Sequence, residues 1–158
     1  MPGLFIALIG AGVIGYALFS PYRVVVGFRR GSPYPVTVRT VGRLTNGDRA
    51  WLELRTADAF EGLLRASYAS GIDLRISSAF RSWQEQAALK AKRLLFGGPV
   101  TAEPGHSNHQ QGTTLDLDVN GHDGSRVRAF LDANAASYGF YRTVPSENWH
   151  YEFTAANG

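Results

Sequence analysis

No part of the sequence limits the fold more strongly than its first 22 residues, which contain no charged side chain. The stretch from Gly3 to Ser20 reads GLFIALIGAGVIGYALFS, and as a helix it would extend about 27 Å at 1.5 Å per residue. A helix of that length just crosses the hydrocarbon core of a bilayer. Small residues recur at every fourth position, a spacing that lets two membrane helices approach closely: Gly3, Ala7, Ala11 and Gly15.

The chain therefore divides into a hydrophobic segment at residues 1–22 and a domain at residues 23–158. We expect the segment to be a membrane anchor or an uncleaved signal, in contact with a membrane through residues 3–20. The alternative is a glycine-rich helix buried in the core of the domain. A secretory signal normally begins with Lys or Arg, and this segment has neither.

The composition excludes several classes of protein. Hydrophobic residues make up 44% of the chain and charged residues 18%, which is not typical of a disordered protein. Cysteine is absent, so disulfides, thiol nucleophiles and cysteine zinc fingers are excluded, and His, Asp and Glu remain as strong metal ligands. The net charge of +3 allows an anionic partner. The basic residues are scattered, however, so we expect no nucleic-acid partner; a steep salt dependence of DNA affinity would indicate one.

Alternating and helical patterns predict both strands and helices. Val- and Thr-rich or alternating stretches predict strands at residues 23–28, 35–41, 50–54, 72–76, 113–119 and 149–153. Asp58 with Glu61 predicts the start of one helix, and residues 125–138 predict another. Ser82 with Glu85 forms a capping box, and the helix that follows is expected to bury Ala88, Leu89 and Leu94 or Leu95. Residues 96–111 show no periodicity, and such a long loop is usually functional or mobile.

Polar residues near the end of the chain are candidates for a metal site. His109 lies in a loop, Asp116 lies in a predicted strand, and residues 147–150 read Glu-Asn-Trp-His. A catalytic zinc ion keeps three protein ligands and leaves its fourth position for water. Two imidazoles and one carboxylate supply only one negative charge, so the metal remains acidic enough to lower the pKa of its water toward ~7. Glu147 and His150 would face opposite sides of an unbroken strand, so we expect Glu147 on a turn after Pro145.

Three ordered motifs carry a resemblance to a known family. The stretch from Ser107 to Asp116 reads SNHQQGTTLD and resembles the S-x-H-x-x-G-x-A-x-D motif of zinc D-alanyl-D-alanine carboxypeptidases and dipeptidases of the VanY/VanX type. The ENWH sequence at residues 147–150 is similar to the E-x-W-H motif of that family. The SAFRS sequence at residues 78–82, with Gln86 beyond it, is similar to a third motif. The resemblance covers roughly residues 34–153.

The resemblance implies one zinc ion per chain, bound by His109, Asp116 and His150. Asp118 shares a strand face with Asp116 and is the alternative carboxylate, although only Asp116 fits the motif. The two other histidines have simpler interpretations: His106 is expected to be a loop residue and His122 to lie on a solvated turn.

The resemblance also implies the catalytic roles. Glu147 would be the general base that takes a proton from the zinc-bound water and passes it to the leaving amine. Arg81 would stabilise the oxyanion of the tetrahedral intermediate. Ser107 and Gln86 would form hydrogen bonds with the substrate. Two departures from the family pattern, Thr114 for the usual Ala and Ala79 for the usual Gly, affect the shape of the pocket and remove no ligand or charge.

These observations together lead us to expect an α+β fold, in which helices pack against an antiparallel sheet and zinc is held at its edge. The expected activity is that of a zinc metallopeptidase that removes a terminal D-alanine from peptidoglycan stem peptides ending in D-Ala-D-Ala. One alternative within that chemistry is an endopeptidase of the L-Ala-D-Glu type, and another is a D-Ala-D-Ala dipeptidase. A non-catalytic zinc-containing module that binds the cell wall is a further alternative, which retention of Glu147 and Arg81 argues against.

A cell-wall substrate implies that the domain is exported to the cell envelope, on the periplasmic side, and anchored by the N-terminal segment. Arg23, Arg29 and Arg30 follow that segment, and the positive-inside rule would keep them in the cytoplasm. We give more weight to the export that the substrate implies than to the positive-inside rule, because the match to three family motifs is the stronger signal.

Overall fold

The computed structural model describes residues 20–121 and 123–154. Residues 1–19 of the expected hydrophobic segment at 1–22 lie outside the described residues. His122 also lies outside them. Within the described ranges, no helix combines the length and the apolar character needed to span a bilayer.

Within the described part of the chain, seven strands form two antiparallel sheets. The first sheet has the order β1-β2-β3 and contains β1 (Tyr22–Arg29), β2 (Ser32–Arg43) and β3 (Arg49–Glu53). The second has the order β4-β5-β7-β6 and contains β4 (Ile76–Ser78), β5 (Thr114–Leu117), β6 (Phe140–Tyr141) and β7 (His150–Phe153). The expected α+β class with antiparallel pairing is confirmed, although there are two sheets instead of one.

Among the residues that the structure describes, three α-helices accompany the sheets: α1 (Leu54–Ala69), α2 (Trp83–Phe96) and α3 (Gly124–Asn134). Short 3-10 helices also occur in the described ranges, at Asn108–Gln111 and Ala135–Tyr138. The larger hydrophobic core joins side chains from α1, α3 and the second sheet, including Phe60, Leu63, Leu117 and Leu131. Phe60 meets Phe140 edge to face, with ring centroids 6.1 Å apart. This core supports the strands that carry the candidate ligands.

The start of α1 differs from the expected one. The helix begins at Leu54, directly after β3, and the side chain of Glu53 caps it by accepting hydrogen bonds from the backbone N–H groups of Arg55 and Thr56. The expected capping pair is therefore wrong: Asp58 and Glu61 lie inside the helix. Their carboxylates contact Arg39 of β2, at 2.7 and 3.1 Å.

The start of α2 agrees with its capping box, since Ser82 and Glu85 exchange side-chain and backbone hydrogen bonds. The expected burial along α2 is wrong. Ala88, Leu89, Leu94 and Leu95 are exposed, and Gln86 is the buried residue of this helix. The apolar residues are exposed because, among the described residues, the core forms on α1 and α3 and does not extend over α2.

Candidate metal centre and active site

The three expected metal ligands come together although they are far apart in the chain. Nδ1 of His150 lies 3.0 Å from Oδ1 of Asp116, and Nε2 of His109 lies 3.4 Å from the same oxygen. One ligand atom from each residue lies within 4.8 Å of the others. Asp116 and His150 are neighbours because β5 and β7 pair in a register that places them opposite each other.

His109 reaches this cluster from the 3-10 helix that precedes β5. Gly112 ends that helix with a left-handed backbone, φ 75°, which turns the chain into β5. A Cβ atom at this position would lie 2.8 Å from the backbone nitrogen of Glu53. Glycine is therefore required here both by conformation and by space, and its turn brings His109 and Asp116 to one place.

The burial of the cluster favours a neutral imidazole and an ionised carboxylate. Burial lowers the pKa of His109, so the ring is neutral near pH 7. Its Nδ1 lies 2.7 Å from the carbonyl oxygen of Ala79, so that nitrogen carries the proton and Nε2 offers a lone pair. Burial alone would raise the pKa of Asp116, but the hydrogen bond with His150 and the positive charge of Arg81 hold it well below its usual range.

This set of donors fits a catalytic zinc ion. Two imidazole nitrogens and one carboxylate oxygen are ligands that zinc prefers, and three protein ligands leave a position for water. A ligating histidine usually donates its second N–H to a carbonyl or carboxylate, and the Ala79 carbonyl is placed to accept it from His109.

Arg81 lies beside the cluster in the connection between β4 and α2. Its Nη2 donates to Oδ2 of Asp116 at 3.1 Å, and Nη1 donates to Oε1 of Gln86 at 3.1 Å. Nε and Nη2 both donate to Oγ of Ser78, at 3.2 and 2.9 Å. Burial lowers the pKa of Arg81 from its ordinary value, while the charge of Asp116 opposes that change. The guanidinium is thus a fixed cation next to the ligands.

Glu147 lies between the turn at Pro145 and β7, and its carboxylate is partly exposed to solvent. Its Oε2 is 3.7 Å from Nδ1 of His150. The backbone is held by a hydrogen bond from the N–H of Glu147 to the carbonyl of Val144, at 3.0 Å. A carboxylate at the rim of the cluster with access to water has the location that a general base requires.

The two expected substrate ligands differ in their surroundings. Ser107 is buried directly before the 3-10 helix, and its side chain makes no capping hydrogen bond to that helix. Gln86 is also buried, but it bonds to Arg81 and donates from Nε2 to the carbonyl of Ala102 at 2.8 Å. Gln86 reaches the cluster through Arg81, and its amide is already engaged within the protein.

The alternative ligands lie elsewhere. Oδ1 of Asp118 accepts hydrogen bonds from the backbone N–H groups of Asn120 and Gly121, so this carboxylate closes a turn after β5. His106 is exposed and lies near Gly31 in a loop. Neither belongs to the group of residues with metal-ligand spacing among those described.

The sequence did not reveal the groups that hold His109 and Arg81 in position. The Ala79 carbonyl is a backbone group and leaves no side-chain signal. Ser78 belongs to the SAFRS motif, but the motif alone does not indicate that its hydroxyl holds Arg81. Thr114, where the family usually has Ala, is buried and its hydroxyl has no hydrogen-bond partner. A position that offers no partner to a hydroxyl suits a small apolar residue.

The sequence profile of VanY, D-alanyl-D-alanine carboxypeptidase, matches residues 49–156. The chain belongs to this family. A D-alanyl-D-alanine carboxypeptidase of Enterococcus faecalis is 26% identical over an alignment of 137 positions, which covers 70% of this chain and 50% of the relative. The chain thus spans about half the length of this curated relative.

Solved structures show the same fold. VanYB in complex with D-alanine-D-alanine superimposes with a TM-score of 0.64 at 25% identity, over 81% of this chain and 84% of that one. A VanY D,D-pentapeptidase variant in complex with Zn(II) gives 0.62 at 24% identity, over 83% and 87%. The LD-carboxypeptidase LdcB gives 0.57 at 23% identity, over 70% and 64%. The family expected from the three motifs is therefore confirmed.

Proposed function

We propose that this protein is a zinc-dependent carboxypeptidase that removes the terminal D-alanine from peptidoglycan stem peptides ending in D-Ala-D-Ala. The observation that carries the proposal is the convergence of His109, Asp116 and His150, with Arg81 and Glu147 at the edge of the cluster. Membership of the VanY family supports the reaction, and the D-alanine-D-alanine bound to VanYB supports the substrate.

His109, Asp116 and His150 would hold one zinc ion per chain. When bound, zinc supplies a Lewis acid for the scissile carbonyl and lowers the pKa of a water ligand. The residues around it prepare the site: the Ala79 carbonyl fixes the tautomer of His109, and the pairing of β5 with β7 sets Asp116 beside His150. The zinc bound by the VanY variant supports this assignment.

Glu147 and Arg81 have different roles: Glu147 transfers the proton, and Arg81 stabilises the negative charge of the intermediate. The carboxylate of Glu147 takes a proton from the attacking water and delivers it to the leaving amine, a role worth about 10²- to 10⁴-fold in rate. Arg81 presents a guanidinium, held by Ser78, to the oxygen that becomes negative in the tetrahedral intermediate. Ser107 provides a hydrogen-bonding hydroxyl for the substrate.

A direct assay separates this activity from its alternatives. Purified protein with added zinc is incubated with a stem pentapeptide, with the dipeptide D-Ala-D-Ala and with intact sacculi, and the products are identified by mass spectrometry. We expect release of D-alanine from the pentapeptide. Hydrolysis of the dipeptide alone would indicate a dipeptidase, and cleavage at an internal bond an endopeptidase. If no substrate is cleaved, the proposal fails in favour of a binding module.

The variant Glu147→Gln tests the mechanism. It keeps the shape of the side chain and removes its basicity, so we expect D-alanine release to fall by about 10²- to 10⁴-fold while zinc content is unchanged. The matched control is Asp132→Asn, the same exchange at an exposed carboxylate on α3. Wild-type activity in Glu147→Gln would contradict the role of this residue.

The substrate also determines the location that we propose. The domain would act outside the cytoplasm, on the envelope side, with residues 1–22 as its membrane anchor. Protease added to whole cells and to spheroplasts tests this location. Digestion of the domain in spheroplasts without lysis is the expected result, and protection until lysis would overturn it.

A further inference from the structure

Helix α2 places one polar side chain in the interior. Gln86 is 1% exposed, and both ends of its amide are engaged: Oε1 accepts from Nη1 of Arg81, and Nε2 donates to the Ala102 carbonyl. Reversing the amide would set its N–H groups against the guanidinium and its oxygen against a carbonyl. The orientation is therefore determined by its two partners.

The carbonyl that Gln86 binds belongs to the segment between α2 and Ser107. Lys90 ties the same segment to α2 through Glu103, at 2.6 Å. The N–H of Gly105 donates to the side chain of Gln110 at 2.7 Å. The amide of Gln86 is thus the direct link between this anchored segment and Arg81.

We infer that Gln86 is a positioning residue, which holds the guanidinium of Arg81 against the backbone of residues 101–103 and does not bind the substrate. This inference rests on the proposed function, because Arg81 is the group that meets the oxyanion. A guanidinium held on several sides is aligned before the reaction, and such alignment is what makes electrostatic stabilisation effective.

A double-mutant cycle tests the inference. Gln86→Met keeps the length of the side chain and removes both hydrogen bonds, so we expect kcat to fall about 10- to 100-fold with KM changed less than about twofold. In an Arg81→Met background the same exchange should have little further effect on kcat, because Gln86 acts through Arg81. Losses that multiply, together with a raised KM, would show contact with the substrate and overturn the inference.

A second measurement does not depend on activity. The NMR signal of the Arg81 Nη1–H group that donates to Gln86, assigned by its loss in Arg81→Met, should exchange with water faster in Gln86→Met than in the wild type. Faster exchange in a protein that hydrolyses none of the substrates would leave the positioning role intact and refute the proposed function. Unchanged exchange would refute the positioning role.

The opposite end of α2 carries an independent observation. Residues 86–102 contain no Asp or Glu, but they contain Lys90, Lys92 and Arg93. Four apolar side chains in this stretch are strongly exposed: Leu94 at 72%, Leu95 at 75%, Phe96 at 80% and Val100 at 80%. Single exposed hydrophobic residues are normal, whereas a group of them marks an interaction surface.

We propose that this group of four, which we call the α2 tip, docks on a bilayer containing anionic phospholipid. Basic side chains beside exposed aliphatic and aromatic ones suit the boundary between charged headgroups and acyl chains. Lys90 is paired with Glu103, so Lys92 and Arg93 are the cations that attract the headgroups. The anchor proposed at residues 1–22 would keep the domain within reach of such a surface.

The absence of cysteine allows a clean test on the full chain. Phe96→Cys is labelled with an environment-sensitive fluorophore and mixed with phosphatidylglycerol or phosphatidylcholine vesicles. We expect a blue shift with phosphatidylglycerol that high salt reduces and Lys92→Glu weakens. The matched control is a label at Arg126→Cys on α3, which should not shift.

Three results would overturn the proposal. One is no shift with phosphatidylglycerol, and another is an equal shift with both lipids. The third is a shift that grows with protein concentration in the absence of lipid, which would indicate that a second copy of the chain covers the tip.

Discussion

The two ends of helix α2 have opposite surroundings. At its beginning, Ser82 and Glu85 cap the backbone and Gln86 is buried against Arg81. At its end, Leu95 and Phe96 are exposed although they are more hydrophobic than the buried Gln86. Hydrophobicity therefore does not decide burial along this helix. The decisive factor is which other elements the fold brings alongside, and among the described residues they bury only Gln86, near the first end.

The largest effect that we predict is at the candidate metal centre, which lies beside the beginning of α2. His109→Ala removes one of three ligands, so we expect bound zinc to be lost and D-alanine release to fall to background. Zinc is measured by atomic absorption on purified protein. His106→Ala is the control, since His106 is exposed in a loop, and it should keep both zinc and activity. Full zinc content in His109→Ala would refute the ligand assignment.

A smaller effect is predicted for Arg81, which bonds both to Gln86 of α2 and to Asp116. Arg81→Met should lower kcat by about 10²- to 10³-fold, because one donor to the oxyanion is removed, while zinc content stays the same. Steady-state kinetics on the pentapeptide provide the measurement. The same exchange at an exposed arginine of α3, Arg126→Met, should leave kcat unchanged; a drop of similar size there would indicate a general effect on folding.

Loss of the cap should reduce stability modestly. Oγ of Ser82 accepts a hydrogen bond from the N–H of Glu85 at 3.2 Å, so Ser82→Ala leaves that donor without its partner. We expect the free energy of unfolding to decrease by about 1 kcal/mol, measured by urea denaturation. Ser146→Ala, in an exposed turn, serves as the control. An unchanged midpoint for Ser82→Ala would show that the first end of α2 does not need its cap.

The smallest effect is expected at the exposed end. Leu95→Ser should change the free energy of unfolding by less than about 0.5 kcal/mol, because the exposed side chain of Leu95 buries little apolar surface in the folded protein. For comparison, Leu63→Ala in the core of α1 should cost about 2–5 kcal/mol. Destabilisation of Leu95→Ser close to that of Leu63→Ala would show that the α2 tip is covered in solution.

Much of the fold could be predicted because the local signals are strong. The Ser82–Glu85 capping box marks the start of α2, and alternating residues mark β5. The start of α1 could not be predicted in this way, since Asp58 and Glu61 match the pattern of a cap while Glu53 does not. Their carboxylates instead meet Arg39 of β2, a contact between distant residues that no local pattern contains.

The sequence by itself determined which chemical groups the protein can use: without cysteine, its candidate metal ligands are histidines and carboxylates, and three ordered motifs supply them together with an arginine and a further carboxylate. The tertiary structure decided which of those groups meet. Pairing of β5 with β7 sets Asp116 opposite His150, and the turn at Gly112 brings in His109. The physical reason is that ligand type is a property of one side chain, whereas proximity and burial depend on how distant segments pack.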